Sequence, residues 1–257
     1  IRFRGAVLIP DPISWSRLRN IARSPLHYKY ALTVQRADTP TLKLGRAVHC
    51  AVLEPQQYAA RYAVYALRRA GGAWDDWLAE RPGIDALSRE ESERVNGMSA
   101  SVRSTASLYL GGGTAEVERA WRIGDRGCRG RIDYVHPTLG VIELKTCADA
   151  SPEAFARESW RYMYHGQLAW YCDGLGLGDL DATIIAVEKD APYAVSIYRV
   201  GPELLHEGRA LYKKLLARLD ECEKSDTWPG YIAHEQPLGI PPWARLDGDE
   251  NDLEDII

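Results

Sequence analysis

The sequence lacks any apolar run near the roughly 20 residues needed to span a bilayer, so no transmembrane helix is expected, and no signal peptide is recognisable. It is also poor in cysteine: the five cysteines are scattered, odd in number and without any C-x-x-C spacing. This arrangement argues against a disulfide framework and against a zinc site. Free thiols in a reducing cytoplasm are the simplest interpretation. The five are Cys50, Cys128, Cys147, Cys172 and Cys222.

A large excess of either charge is missing as well, since the net charge is only −4. The distribution is more informative, because residues 246–257 contain six acids and no base. Without that segment the chain has 32 basic and 30 acidic residues, a net charge of +2. The charge therefore permits a DNA-binding groove without demanding one. The composition of the acidic tail favours a disordered solubility segment over a partner-docking segment.

The apolar content of 46% and the charged content of 26% are typical of a soluble globular protein. The order of the predicted elements indicates a single α/β domain, residues 1–257, with a central mixed sheet flanked by helices. Its predicted parts are a helical N-terminal part (1–112), a sheet core (113–200), a C-terminal helix (202–224) and an acidic tail (246–257). The other predicted helices are 13–22, 41–53, 56–67, 88–110 and 151–174, the last in two parts; the predicted strands are 115–123, 128–135, 141–146, 181–187 and 193–200; residues 70–82 are left unassigned.

Two neighbouring strands carry the most informative pattern. Segments 130–135 and 141–145 alternate apolar and charged residues, and the five residues between them include the Pro and Gly of a turn. In a hairpin with that five-residue loop, Asp133 faces Glu143, and their side chains are roughly 5 Å apart. Lys145 lies two residues along the second strand and therefore points to the same face.

Two carboxylates at this separation repel each other, and a divalent cation between them would remove the repulsion. Carboxylate oxygens suit Mg²⁺ or Mn²⁺. The pattern therefore predicts a metal site with a lysine beside it. The alternative is a solvated sheet face on which Lys145 neutralises the two acids, and the spacing alone leaves both interpretations open.

The strand that precedes this hairpin carries two further acids, Glu116 and Glu118. A turn over residues 124–127 would let Glu118 face Asp133. A third acid at the site is therefore conceivable from the spacing, but neither glutamate is assigned to it.

The strand–loop–strand pattern with Asp133, followed by Glu143-Leu144-Lys145, resembles the PD-(D/E)XK nuclease superfamily. Arg131-Ile132 stands before the first acid, where the superfamily is named for a proline. The resemblance extends over residues 13–174 and is closest to the RecE-like exonucleases, with the phage lambda-type enzymes more distant. It implies a restriction-endonuclease-like α/β core.

Three further motifs fit this resemblance. Gly45 and His49 match an early helix on which a Gly is followed four residues later by a metal-reaching residue. Gln167 and Tyr171 resemble a Q-x-x-x-Y motif, and their spacing puts both on one helical face. Ser14, Ser16 and Arg17 resemble segments that bind a DNA phosphate at a helix N-terminus. The alternatives are an ordinary histidine, an aromatic helix packed on the sheet, and an ordinary helix cap.

The resemblance implies roles for these residues. Asp133, Glu143 and the carbonyl of Leu144 would hold Mg²⁺, for which Mn²⁺ would substitute, and His49 and Gln167 would complete the metal shell. Lys145 would orient or deprotonate a water or stabilise charge on the phosphate, and Tyr171 would belong to the same catalytic group. Ser14, Ser16 and Arg17 would contact the DNA backbone.

The implied function is that of a processive 5′→3′ exonuclease on linear double-stranded DNA in phage-type recombination. Its implied partners are double-stranded DNA ends, a single-strand annealing protein and further copies of the chain in a ring of three or four. A structure-specific endonuclease of the same superfamily and a catalytically silent DNA- or protein-binding domain are the alternatives. The iron–sulfur branch is disfavoured, because only Cys222 follows Cys172.

Overall fold

The computed structural model describes residues 11–34, 37–177, 182–231, 235 and 238–239, and the acidic tail lies outside these ranges. Two sheets are present in the described part of the chain, one of six strands and one of two. The strands are β1 (Ile13–Ser14), β2 (Tyr62–Val64), β3 (Asp85–Leu87), β4 (Thr114–Ile123), β5 (Arg126–His136), β6 (Gly140–Cys147), β7 (Ala182–Glu188) and β8 (Val195–Val200).

The six-stranded sheet is mixed, which confirms the predicted fold class. Strands β4, β5 and β6 form an antiparallel meander, β6 pairs with β7 in parallel, and β8 is antiparallel to β7. Strand β4 covers one edge of β5. The other edge is shared, because β1 pairs with β5 at residues 128–129 and β6 pairs at residues 134–136. Between these two pairings, residues 130–133 of β5 have a free edge on that side.

Helices cover both faces of this sheet. Proline opens α3, α4, α5, α8 and α10, where its missing N–H costs no hydrogen bond, and a capping box at Ser88 opens α7. The helices are α1 (Trp15–Leu18), α2 (Asn20–Arg23), α3 (Pro25–Ala31), α4 (Pro40–Leu53), α5 (Pro55–Arg61), α6 (Gly72–Ala79), α7 (Arg89–Ala106), α8 (Pro152–Arg161), α9 (Tyr164–Leu175) and α10 (Pro202–Ser225).

The core has two layers because strand residues alternate between the faces. On β7, Ile184 packs with the layer that contains α1–α3, α8, α9 and α10, whereas Ile185 packs with the layer that contains α4 and α7. No helix within the described ranges is long and apolar enough to cross a membrane.

Several predicted elements are wrong. Residues 13–22 form β1 and two four-residue helices instead of one helix, because Ser14 is extended and Ile13 pairs with Cys128. The helix predicted over 56–67 ends at Arg61, where Tyr62 begins a parallel pairing with Asp85 of β3. In both segments a tertiary strand pairing outweighs local helix preference.

Other boundaries differ less. The unassigned segment 70–82 contains α6, and the helix predicted over 88–110 ends at Ala106. The division of 151–174 into two helices is confirmed.

The close packing of α9 against α10 depends on Gly208. A Cβ at this position would lie 2.2 Å from the carbonyl oxygen of His165, which belongs to the backbone and cannot swing away. We expect Gly208→Ala to lower the free energy of unfolding by about 2 kcal/mol or more, because overpacking outweighs the helix propensity that alanine adds. Denaturant unfolding followed by circular dichroism measures this change.

Gly72→Ala in α6 is the matched control, since nothing lies within 4 Å of a Cβ there. It should leave stability unchanged or raise it slightly. Equal stability of the two variants would contradict the packing argument.

Candidate active site

The hairpin of β5 and β6 sets the register of the site. His136 pairs with Gly140, so the loop has three residues instead of the predicted five. The ring Nδ1 of His136 accepts the N–H groups of Thr138 and Leu139, each at 3.1 Å, which closes the loop tightly. The strand register is nevertheless the predicted one, because lengthening each strand by one residue leaves the facing pairs unchanged.

Backbone pairing of β5 with β6 ends at Tyr134 and Ile142, and the two strands then separate. In the gap, Oδ2 of Asp133 accepts the N–H of Leu144 at 2.9 Å. The N–H of Asp133 lies 3.5 Å from Oε1 of Glu143. The two acids therefore do not simply face each other across a continuous ladder: their side chains fill the split between the strands.

Among Asp133, Glu143 and Lys145, Glu143 is the most buried, with 1% of its surface exposed. Its Oε2 accepts hydrogen bonds from Lys145 Nζ at 2.7 Å and from Gln167 Nε2 at 3.1 Å. Lys145 also donates to Oε1 of Gln167 at 3.2 Å, and Gln167 donates to the hydroxyl of Tyr171 at 3.2 Å. These four residues form one connected network.

Burial, with the neighbouring charge of Asp133 next in size, raises the pKa of Glu143 to about 7. Burial alone would lower the pKa of Lys145, but the carboxylates of Glu143 and Asp133 outweigh it and raise this pKa. The lysine is therefore held as an ammonium group within hydrogen-bonding distance of an acid that burial makes hard to ionise.

Helix α9 presents Gln167 and Tyr171 to the sheet. The indole N–H of Trp170 donates to the carbonyl of Arg129 at 3.0 Å and fixes the helix against β5. A Cβ on Gly130 would lie 2.6 Å from the ring of Tyr171, so only glycine permits this approach. Gly130 thereby allows the face of α9 that carries Gln167 and Tyr171 to lie close to the acids.

His49 reaches the site from α4 on the opposite layer. A Cβ on Gly45 would lie 3.8 Å from Oγ1 of Thr146 in β6, and one turn later Nδ1 of His49 lies 3.4 Å from Oδ1 of Asp133. Burial disfavours the charged form of both groups, but the attraction between the carboxylate and the imidazolium opposes this effect. As a result, the pKa of Asp133 is lowered and the pKa of His49 is raised.

Glu116 is the third acid of the site, and the expected facing of Glu118 with Asp133 is wrong. Glu118 pairs with Arg131, whereas Glu116 lies level with Asp133 in the register of β4 and β5. Glu116 has a left-handed backbone conformation with φ of 52°, which is strained for a residue with a side chain. Its carboxylate forms an ion pair with Arg131.

The residue of β4 that lies level with Asp133 is Glu116 instead of Glu118 because the turn between β4 and β5 is shorter than expected. Ile123 pairs with Arg126, so the turn contains only Gly124 and Asp125 instead of the four residues 124–127. Gly124 has φ of 56°, which suits a two-residue hairpin. In the sequence, the dipeptide Gly124-Asp125 between two alternating segments is a signal for a two-residue turn, and this turn length places Glu116 opposite Asp133.

Among the described residues, His49, Glu116 and Asp133 offer one ligand atom each within 4.8 Å of one another. Two carboxylates and an imidazole suit a divalent cation such as Mg²⁺ or Mn²⁺. Burial, with the charge of Asp133 next, raises the pKa of Glu116, which a bound cation would reverse. The residues present therefore fit a metal ion, with Glu116 added to the predicted set.

The other two predicted metal ligands have different partners. Glu143 is hydrogen-bonded to Lys145 and Gln167, and the N–H of Leu144 is bonded to Asp133. Ligation by Glu143 and by the Leu144 carbonyl stays a prediction.

Two clefts of about 780 and 710 Å³ lie beside the acids. The first contains His49, Glu116 and Asp133, and the second contains Lys145, Gln167 and Tyr171. Arg131 of β5 lines both clefts, so the clefts adjoin at this strand.

The second cleft also contains Ser14 and Ser16, and its basic lining is Arg19, Arg119, Arg129, Arg131 and Lys145. Arg17, the predicted phosphate-binding arginine, does not line this cleft and forms an ion pair with Asp11 at 3.3 Å. Arg19, which the sequence did not single out, lines the cleft instead. The hydroxyl of Ser14 caps a helix of only four residues, too short for the dipole effect expected of a longer helix. Phosphate contact by the two serines and Arg17 stays a prediction.

We expect Glu116→Gln to weaken Mn²⁺ binding about tenfold or more, because it removes the negative charge of a ligand. Titration with Mn²⁺ followed by electron paramagnetic resonance counts the free ion directly. Glu118→Gln, two residues along the same strand, is the control and should bind like the unaltered protein. Equal affinity of the two variants would remove Glu116 from the metal site.

Comparison with known proteins identifies the family and agrees with the fold. The family described as PDDEXK-like domain of unknown function (DUF3799) matches residues 14–236. The solved structure of a candidate exonuclease from Eubacterium rectale superposes with a TM-score of 0.63 at 14% identity, covering 90% of this chain and 91% of the other. A phage-related exonuclease from Haemophilus somnus 129PT gives 0.41 at 12% identity, covering 84% and 96%. A search of curated protein sequences found no match. Because the family match spans most of the sequence, the chain belongs to the PDDEXK-like family.

Proposed function

We propose that this protein is a metal-dependent deoxyribonuclease that hydrolyses phosphodiester bonds at the ends of linear double-stranded DNA. The observation that carries the proposal is the largely buried cluster of Asp133, Glu143, Lys145 and Gln167 between two adjoining clefts, beside His49 and Glu116. Burying this many ionisable groups together costs stability, and such clusters occur mainly where their chemistry is used.

The metal proposed here is Mg²⁺, with Mn²⁺ as a substitute, held by Asp133, Glu116 and His49 with Glu143 beside them. A divalent cation at such a site supplies activation of water and neutralises charge on phosphate oxygens. The acids contribute a fixed negative site that needs no rearrangement of the strands, because Asp133 is already tied to the backbone of Leu144.

Lys145 supplies positive charge beside the reacting phosphate. Two of its three N–H donors are used by Glu143 and Gln167, and the ammonium nitrogen lies 5.0 Å from the ring centroid of Tyr164. Its raised pKa keeps it protonated, which supports charge stabilisation over the deprotonation of water. Gln167 and Tyr171 act as positioning residues that hold the carboxylate of Glu143.

Exonuclease action with 5′→3′ polarity is the finer part of the proposal. It is supported by the resemblance to RecE-like enzymes and by the fold shared with the candidate exonuclease from Eubacterium rectale. On the same grounds we propose a role in phage-type recombination in the cytoplasm, a single-strand annealing protein as partner, and a processive ring of three or four subunits.

The first test is digestion of linear and covalently closed duplex DNA with Mg²⁺, with the linear substrate labelled at its 5′ or its 3′ end. We expect loss of linear DNA only, with early release of the 5′ label. Lys145→Ala should lower the rate at least about a hundredfold while the circular dichroism spectrum is unchanged, because it removes a charge donor from the site. Lys214→Ala, on the exposed face of α10, is the control.

Near-normal activity of Lys145→Ala would reject the assigned site. Cleavage of the closed circle would replace the exonuclease with an endonuclease of the same superfamily. Hydrolysis of neither substrate by the folded protein would favour a binding domain.

A further inference from the structure

The connection between α8 and α9 carries an unusual group of aromatic rings, at residues 160–165, which we name the α8–α9 elbow. Met163 has a left-handed backbone conformation with φ of 58° and ψ of 43°. This reversal brings the rings of Tyr162 and Tyr164 into a stacked arrangement with centroids 5.9 Å apart. Two residues this close in sequence would not face each other on a regular helix.

Two rings of the elbow are turned towards solvent. Trp160 is 62% exposed and Tyr162 is 40% exposed. One face of Trp160 is stacked on His165 with centroids 4.7 Å apart, and the guanidinium of Arg161 lies 5.6 Å from the ring centroid of Tyr162. Large flat apolar surfaces that remain exposed, and are held in a fixed orientation, suit a ligand with flat faces of its own.

The elbow also touches both clefts of the active site. Tyr162 lines the cleft that contains His49, Glu116 and Asp133. Tyr164 lines the other cleft, where its ring lies beneath the ammonium group of Lys145 at 5.0 Å. A chain that passes from one cleft to the other through the proposed catalytic site therefore passes the elbow.

We infer that the α8–α9 elbow stacks on unpaired nucleobases, so that the strand held at the catalytic site is single-stranded there. This inference rests on the proposed nuclease function and specifies the form of DNA that the site holds. Aromatic rings stack on bases of any sequence. Bases inside a duplex are stacked on their neighbours on both faces and cannot offer a face to Trp160 or Tyr162.

The charges near the elbow agree with a nucleic acid strand. Arg161 and Lys145 lie against its rings and can neutralise backbone phosphates. The carboxylate of Glu158 lines the same cleft as Tyr162, and the hydroxyl of Tyr164 lies 3.5 Å from it. The elbow thus has a basic group, Arg161, beside the exposed ring of Tyr162, a combination typical of single-strand binding surfaces.

The test compares binding of a fluorescein-labelled oligo(dT) with binding of a covalently closed circular duplex that carries the same label, both in EDTA so that no metal-dependent cleavage occurs. The Trp160→Ala/Tyr162→Ala double variant should bind the single strand about tenfold more weakly or worse, because each ring that stacks on a base contributes severalfold to affinity. Binding of the closed duplex should change less than twofold, because it has no ends and no unpaired bases. Trp160→Phe and Tyr162→Phe should retain single-strand binding.

Tyr30→Ala is the matched control, because Tyr30 is 64% exposed, as Trp160 is at 62%, but lies on α3 outside the elbow. Fluorescence gives a second measurement: oligo(dT) should quench the unaltered protein more than it quenches Trp160→Phe. This comparison keeps an aromatic ring at the position and does not depend on an alanine variant that folds.

Single-strand binding by the double variant equal to that of Tyr30→Ala would overturn the inference, as would an equal loss for both DNA forms. A lower oligomeric mass with unchanged single-strand binding would also overturn it and would assign the elbow to a subunit contact. The nuclease proposal is judged separately, by Mg²⁺-dependent cleavage and its loss in Lys145→Ala. If the unaltered protein cleaves DNA and the elbow variants bind oligo(dT) as well as it does, the base-stacking role of the elbow is rejected and the nuclease proposal stands.

Discussion

The hydrogen bond from the N–H of Leu144 to the carboxylate of Asp133 is the interaction on which the site depends. Strands β5 and β6 separate after Tyr134 and Ile142, which leaves a buried backbone donor without a strand partner. A buried N–H without a partner would cost a few kcal/mol, and a charged acceptor satisfies it strongly. The split can therefore persist inside the protein, with Asp133 lining one of the two clefts and Lys145 lining the other.

The rest of the site compensates the charge that this arrangement buries. His49 comes from α4 on one face of the sheet, and Gln167 comes from α9 on the other. Lys145, on the same strand as Glu143, neutralises that carboxylate directly. Each helix layer thus brings one polar side chain to the acids of the sheet. The α9 side chains can approach this closely because Gly130 has no Cβ to clash with the ring of Tyr171.

Local patterns in the sequence predicted much of this arrangement but did not assign the third acid. The alternation around Asp133 and Glu143 predicted their register, because a turn of either three or five residues keeps the same facing pairs. The interval between Gln167 and Tyr171 predicted a shared helical face, which their hydrogen bond agrees with. Glu116 was not assigned, because that required the length of the Gly124-Asp125 turn, and one acid two positions away fits the same alternation.

The sequence by itself determined the mixed α/β class, the hairpin that carries the acids and the helical face that carries Gln167 and Tyr171, because these follow from periodicity over a few neighbouring residues. Only the tertiary structure decided that Ile13 joins the edge of β5, that β2 and β3 pair in parallel, and that Glu116 meets His49 and Asp133. It also decided that Tyr162 and Tyr164 border the two clefts. Each of these features depends on contacts between residues that are far apart in the chain. A pattern of neighbouring residues carries no information on how favourable such contacts are.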